Sequence, residues 1–212
     1  MTTVVYAGPK RGIDRAVLLA HGAGADLEAP ALVAVADALA VHGIPSLRFN
    51  YPYRDAGRKA PDRPAVLLAA TRAAAADLAR RTKLDPARIV VGGRSMGGRY
   101  CSLVVADADD PLPTLGLLLL GYPLHPAGRP DQPRVEHLSR IRVPTMFVSG
   151  TRDALGAKDA LRRAARRVDG PVAWHWVETG DHAFKPLKSS GLSREAVLAE
   201  LAAASADWVA SL

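Results

Sequence analysis

Residues 88 to 108 read RIVVGGRSMGGRYCSLVVADA. The Ile and Val run that ends in two glycines predicts a buried strand over 88–93, and the small and aliphatic residues from Met96 onward predict a helix. Ser95 stands at the joint, inside Gly93-Arg94-Ser95-Met96-Gly97. A serine at a tight strand-to-helix turn is lifted above the sheet, and its glycine neighbours are needed because a larger side chain would collide with the adjoining chain. The same turn puts the serine at a helix N-terminus, whose free N–H groups and dipole favour a developing negative charge. As a bare string GxSxG also fits a glycine turn that only joins two elements. The strand before it and the helix after it favour a nucleophile.

Working outward, short apolar runs alternate with alanine-rich stretches. AVLLAHG (16–22), SLRFNYPY (46–53), LGLLLLGY (115–122), TMFVSG (145–150) and VAWHWVE (172–178) join 88–93 as six predicted strands. Helices are predicted over 30–43, which opens on Pro30 and closes on Gly43, and over 65–82, 96 onward, 158–168 and from about 193. Alternation of this kind predicts an α/β fold: a three-layer α/β/α sandwich around a mostly parallel sheet of six or seven strands. At 212 residues and 49% apolar content, one domain spanning 1–212 is expected. Two irregular loops, 54–64 and 123–138, are rich in proline and charge and follow carboxyl ends of strands, where ligands bind in such sheets.

A serine hydroxyl needs a histidine base and a carboxylate to orient that base. Asp153 follows TMFVSG and His182 follows VAWHWVE, so each lies just past a strand's carboxyl end, as Ser95 does. The chain order Ser, Asp, His is the one expected of a nucleophile-elbow architecture. Asp153 also reads as a helix cap, and Asp181 beside His182 is a competing acid. His21, His42, His125, His137 and His175 do not follow the last strand. HGAGAD (21–26) supplies the loop after an early strand, so the backbone N–H groups of Ala23 and Met96 are the expected oxyanion donors. Gly22, Tyr51 and Arg94 are candidate substrate contacts, with Tyr53 beside Tyr51. Arg48, Arg54, Arg99 and Arg152 read either as anion binders or as partners of Asp26 and Glu136 that hold loops. Cys101 reads as a packing residue.

The combination HGAGAD, RFNYPY with AGRKAPDRP, GGRSMGGR, GYPLHPAGRP with VEHL, VSGTRDALG and GDHAFKP resembles the α/β-hydrolase-like family distantly related to dienelactone hydrolases. That family includes small bacterial proteins and regions of testis-expressed and chromatin-associated eukaryotic proteins. The likeness runs over about residues 16–190. It implies a minimal α/β-hydrolase core without a large lid and a triad at Ser95, Asp153 and His182. Dienelactone hydrolases proper use a cysteine nucleophile, so their substrate is not carried over. The resulting expectation is a serine hydrolase acting on a small ester or thioester without metal or organic cofactor. The alternative is a non-catalytic interaction protein on the same fold, as the chromatin-associated relatives suggest.

Composition bounds the rest. The net charge of +7 comes from scattered arginines, and the densest group, RRAARR (162–167), reads as the polar side of a helix, so no nucleic-acid partner is expected. No run approaches a membrane span and no secretion signal is visible. With one cysteine no intrachain disulfide can form. A cytoplasmic protein, monomer or homodimer, is expected.

Overall fold

A computed structural model describes residues 2–9 and 11–212. Strands β1 (Val4–Ala7), β2 (Ala16–Ala20), β3 (Ser46–Phe49), β4 (Ile89–Arg94), β5 (Gly116–Leu120), β6 (Thr145–Gly150) and β7 (Val172–Val177) form one sheet in the order β1-β3-β2-β4-β5-β6-β7. All neighbours are parallel except β1 and β3, which run antiparallel with Val4 opposite Phe49. The helices are α1 (Pro30–Val41), α2 (Pro52–Asp55), α3 (Pro64–Thr82), α4 (Met96–Val105), α5 (Lys158–Ala165) and α6 (Arg194–Ala210).

Successive side chains of a strand face opposite ways, so β2 and β5, apolar throughout, and β4, apolar as far as Arg94, feed two cores at once. Leu18, Val91, Leu117 and Leu119 pack with Leu67 and Leu78 of α3, Cys101 and Val105 of α4 and Leu161 of α5. Val17, Leu19, Val90, Leu118 and Leu120 pack on the other side with Leu32, Val35 and Leu39 of α1 and Leu201 and Val209 of α6. The expected α/β/α sandwich with a mostly parallel seven-stranded sheet is observed.

Two local readings change. The segment 46–53 does not remain extended: β3 ends at Phe49 and Pro52 opens the short helix α2. Proline has the dihedral of a first helical residue and no N–H to leave unpaired. Strand β1 was not among the six expected; four half-buried residues on an antiparallel edge carry no alternation for a sequence reading to detect. Among the described residues, no helix is long and apolar enough to cross a membrane.

Candidate active site

Strand β4 runs straight into α4 with a single residue between them, and that residue bends the chain. Ser95 has φ 52° and ψ −116°, a positive φ that a residue with a Cβ rarely adopts. Its N–H donates to Leu120 O at 2.8 Å, tying the turn to β5. The space is tight: a Cβ added at Gly93 or at Gly97 would lie 2.2 Å from the Ala20 carbonyl oxygen. Glycine at both positions lets α4 start against β2 and leaves the serine hydroxyl above the sheet edge.

Asp153 sits in the turn after β6 with its carboxylate fully buried. Leu155 N–H donates to Asp153 Oδ1 at 2.8 Å, and both carboxylate oxygens lie 2.9–3.0 Å from His182 Nδ1. A carboxylate can only accept here, so Nδ1 carries the proton and Nε2 presents its lone pair. Nε2 is 2.9 Å from Ser95 Oγ. The loop after β7 is stitched to the turn after β6 by Thr151 N–H to Val177 O (3.0 Å), Arg152 N–H to Gly180 O (2.9 Å) and Thr179 N–H to Thr151 Oγ1 (2.9 Å). Asp181, the competing acid, is spent locally: its Oδ1 accepts from Ala183 N–H at 2.8 Å and Lys185 N–H at 2.9 Å. The three side chains expected to act together therefore meet in one hydrogen-bonded line.

Ser95 opens onto a cleft of about 350 Å³, lined also by Ala23 and Met96. Neither the Ala23 nor the Met96 N–H donates to a protein acceptor among the described residues. The loop carrying Ala23 is held by His21, a residue whose part the sequence did not disclose. His21 Nδ1–H donates to Gly22 O at 2.8 Å, and Nε2 accepts from Tyr51 N–H at 3.1 Å. A backbone carbonyl only accepts and a backbone N–H only donates, so these bonds specify one neutral tautomer. Burial pushes the His21 pKa down in the same sense.

The expected substrate contacts fare differently. Tyr51 is fully buried and its hydroxyl bonds Thr71 Oγ1 at 3.1 Å, so its ring belongs to the core and not to the cleft. An aromatic at a strand end looks the same in either role. Gly22 is absent from the cleft lining, its carbonyl being taken by His21 and by Ala25 N–H at 3.2 Å. Arg94 lines a separate cleft of about 340 Å³ with Asp26, Glu28 and Arg194. Its Nη2 donates to His182 O at 3.1 Å, so it holds the histidine loop from behind. Burial lowers the Arg94 pKa, opposed by the charges of Asp153 and Asp181.

Arg48 pairs with Glu28 at 2.9 Å and Arg54 with Asp26 at 3.5 Å, as loop-holding groups. Both irregular loops reach the Ser95 cleft, the first through Pro61 and Asp62, the second through Pro123, His125, Pro126, Ala127 and Arg134. Arg134, in the middle of a proline-rich loop far from Ser95 in sequence, was not anticipated.

Residues 13–210 match the model of the alpha/beta hydrolase domain family. Among solved structures, an alpha-beta serine hydrolase homologue from Coxiella burnetii superposes with a TM-score of 0.71 at 17% identity, covering 96% of this chain and 89% of that one. Dienelactone hydrolase from Anabaena variabilis gives 0.72 at 17% identity, covering 99% and 91%. Est1E from Butyrivibrio proteoclasticus, with ferulic acid bound, gives 0.73 at 15% identity, covering 99% and 94%. At such identities the likeness is one of fold. With its elbow turn between β4 and α4 and a family match over nearly its whole length, the chain belongs to the alpha/beta hydrolase domain family.

Proposed function

We propose that this protein is a serine hydrolase that cleaves a small ester or thioester through an acyl-enzyme. The observation that carries the reading is the unbroken line from Asp153 through His182 to Ser95 Oγ, with each bond at 2.9–3.0 Å and the serine open to a cleft. His182 Nε2 takes the Ser95 hydroxyl proton as Oγ bonds the scissile carbonyl carbon, and the carbonyl π electrons move to its oxygen. The N–H groups of Ala23 and Met96 receive that oxyanion. Collapse breaks the bond to the leaving oxygen or sulfur, which departs with the proton from His182 Nε2. Water then attacks the acyl carbon by the same sequence, with Ser95 Oγ leaving and reclaiming a proton, and the acid is released. Throughout, Asp153 keeps the imidazole in the required tautomer and stabilises its charged form.

Labelling by a fluorophosphonate probe and hydrolysis of 4-nitrophenyl acetate test the reading directly. Wild type is expected to do both, and Ser95→Ala to lose labelling entirely and at least about a thousandfold in kcat. Wild-type labelling or turnover in Ser95→Ala would overturn the assignment.

A further inference from the structure

Two guanidiniums converge on the Ser95 cleft, and neither has an anion. Arg99 lies one turn along α4 from the nucleophile, its N–H donating to Ser95 O at 3.0 Å, which places both side chains on the same stretch of helix surface. Arg134 comes from the second loop, where its backbone is fixed by Arg134 N–H to Leu124 O (2.6 Å) and by Tyr122 Oη donating to Arg134 O at 3.2 Å. Both residues line the cleft with Ser95.

Other arginines near the cleft or the sheet edge find acceptors: Arg48 pairs with Glu28, Arg58 with Asp62 and Arg72 with Asp107, while Arg94, Arg140 and Arg152 donate to backbone carbonyls. Among the described residues, Arg99 and Arg134 make no ion pair, and neither guanidinium donates a hydrogen bond to a protein acceptor. Arg99 Nε is buried without any partner, and its Cζ lies 5.7 Å from the centre of the Tyr100 ring. Burial first, and the like charge of Arg99 after it, lower the Arg134 pKa. Asp62 also lines the cleft; its Oδ1 is taken by Arg58 at 2.5 Å and its Oδ2 is buried without a partner, so it pairs with neither Arg99 nor Arg134. Holding two half-buried, unpaired cations beside one another is unfavourable in the free protein and is relieved when an anion enters between them.

We infer that Arg99 and Arg134 form a carboxylate-binding subsite, and that the ester or thioester cleaved at Ser95 carries a carboxylate a few bonds from its scissile carbonyl. This rests on the reading of Ser95 as the nucleophile. A carboxylate docked on a fixed guanidinium accepts paired N–H bonds and orients the substrate as well as holding it. One helical turn separates Arg99 from Ser95, so the linker between carboxylate and reacting carbon is short.

The test compares each anionic ester with the neutral ester that lacks only its carboxylate. For an anionic acid half, mono-4-nitrophenyl glutarate is set against 4-nitrophenyl butyrate; for an anionic alcohol half, 3-acetoxybenzoate is set against phenyl acetate. In wild type, kcat/KM is expected to favour the anionic member of at least one pair by about ten- to a hundredfold, less at high salt. In Arg99→Gln and Arg134→Gln that ratio should fall toward one, and Arg99→Lys should recover part of it. Equal kcat/KM within both pairs, or a preference that survives both Gln variants, would overturn the inference. Calorimetric binding of glutarate to Ser95→Ala, with and without the Arg99→Gln change, decides the matter if no ester is turned over. Arginine-dependent glutarate binding without probe labelling would sink the nucleophile reading alone. Labelling with neither ester preference nor glutarate binding would sink this inference alone.

Discussion

Ser95 is held at φ 52° although it carries a Cβ, a conformation that costs on the order of 1–3 kcal/mol and survives only because its surroundings dictate it. The Leu120 carbonyl, the two glycines against Ala20 and the start of α4 leave no other path for the chain. Glycine has no such cost, though it adds about 0.5–1 kcal/mol of freedom to the unfolded chain. Ser95→Gly should therefore unfold later than wild type by about 2–4 °C, while Ser95→Ala, which keeps the Cβ, should not. Differential scanning calorimetry of the three proteins checks this, and a Ser95→Gly midpoint at or below that of wild type would show the turn to be unstrained.

At the scale of elements, α4 is clamped from below by the 3₁₀ turn Glu136–Arg140. His137 Nε2 lies 2.8 Å from Ser102 Oγ and 3.3 Å from Tyr122 Oη, and Ser102 in turn donates to Arg99 O at 2.7 Å. Burial, helped by the charges of Arg99 and Arg140 and opposed by Glu136, pushes the His137 pKa down to about 4 from an ordinary 6.5. A lowered histidine pKa means that the unfolded chain binds the proton more readily, so this group's contribution to stability is whole above about 6.5 and is lost as pH falls toward 4. Urea unfolding of His137→Gln should show a shallower loss of stability over that window than wild type, and parallel curves would contradict the assignment. Which elements a sequence discloses follows from the same physics. Ser95, Asp153 and His182 were legible because each follows a strand, and parallel strands must bring such positions to one edge. Arg134 and the His137 clamp were not, because a proline-rich loop has no period from which its path could be read. Tyr51 misled because a strand end borders the core and the cleft alike, and β1 escaped because four half-buried edge residues lack both a buried run and an alternation.

The molecule as a whole is two cores divided by one sheet, and α4 carries a reporter in one of them. Cys101 is fully buried, its Sγ donating to Gly92 O at 3.2 Å, and burial raises its pKa to about 12. Its thiol meets solvent only when α4 leaves the sheet, which takes the Ser95 turn with it. Iodoacetamide at pH 8 should therefore alkylate the native protein at least about a hundredfold more slowly than the urea-unfolded chain, with a rate that follows global unfolding. Rapid modification of folded, probe-reactive protein would show that α4 opens on its own. The left-handed backbone at Ser95 matters again at this scale, for anyone who would improve the protein. A library sorted on heat resistance alone would enrich glycine at position 95 and so collect robust molecules that no longer react. A library sorted on probe labelling would discard them, and the gap between the two winners would measure how much durability this fold gives up to keep one hydroxyl in place.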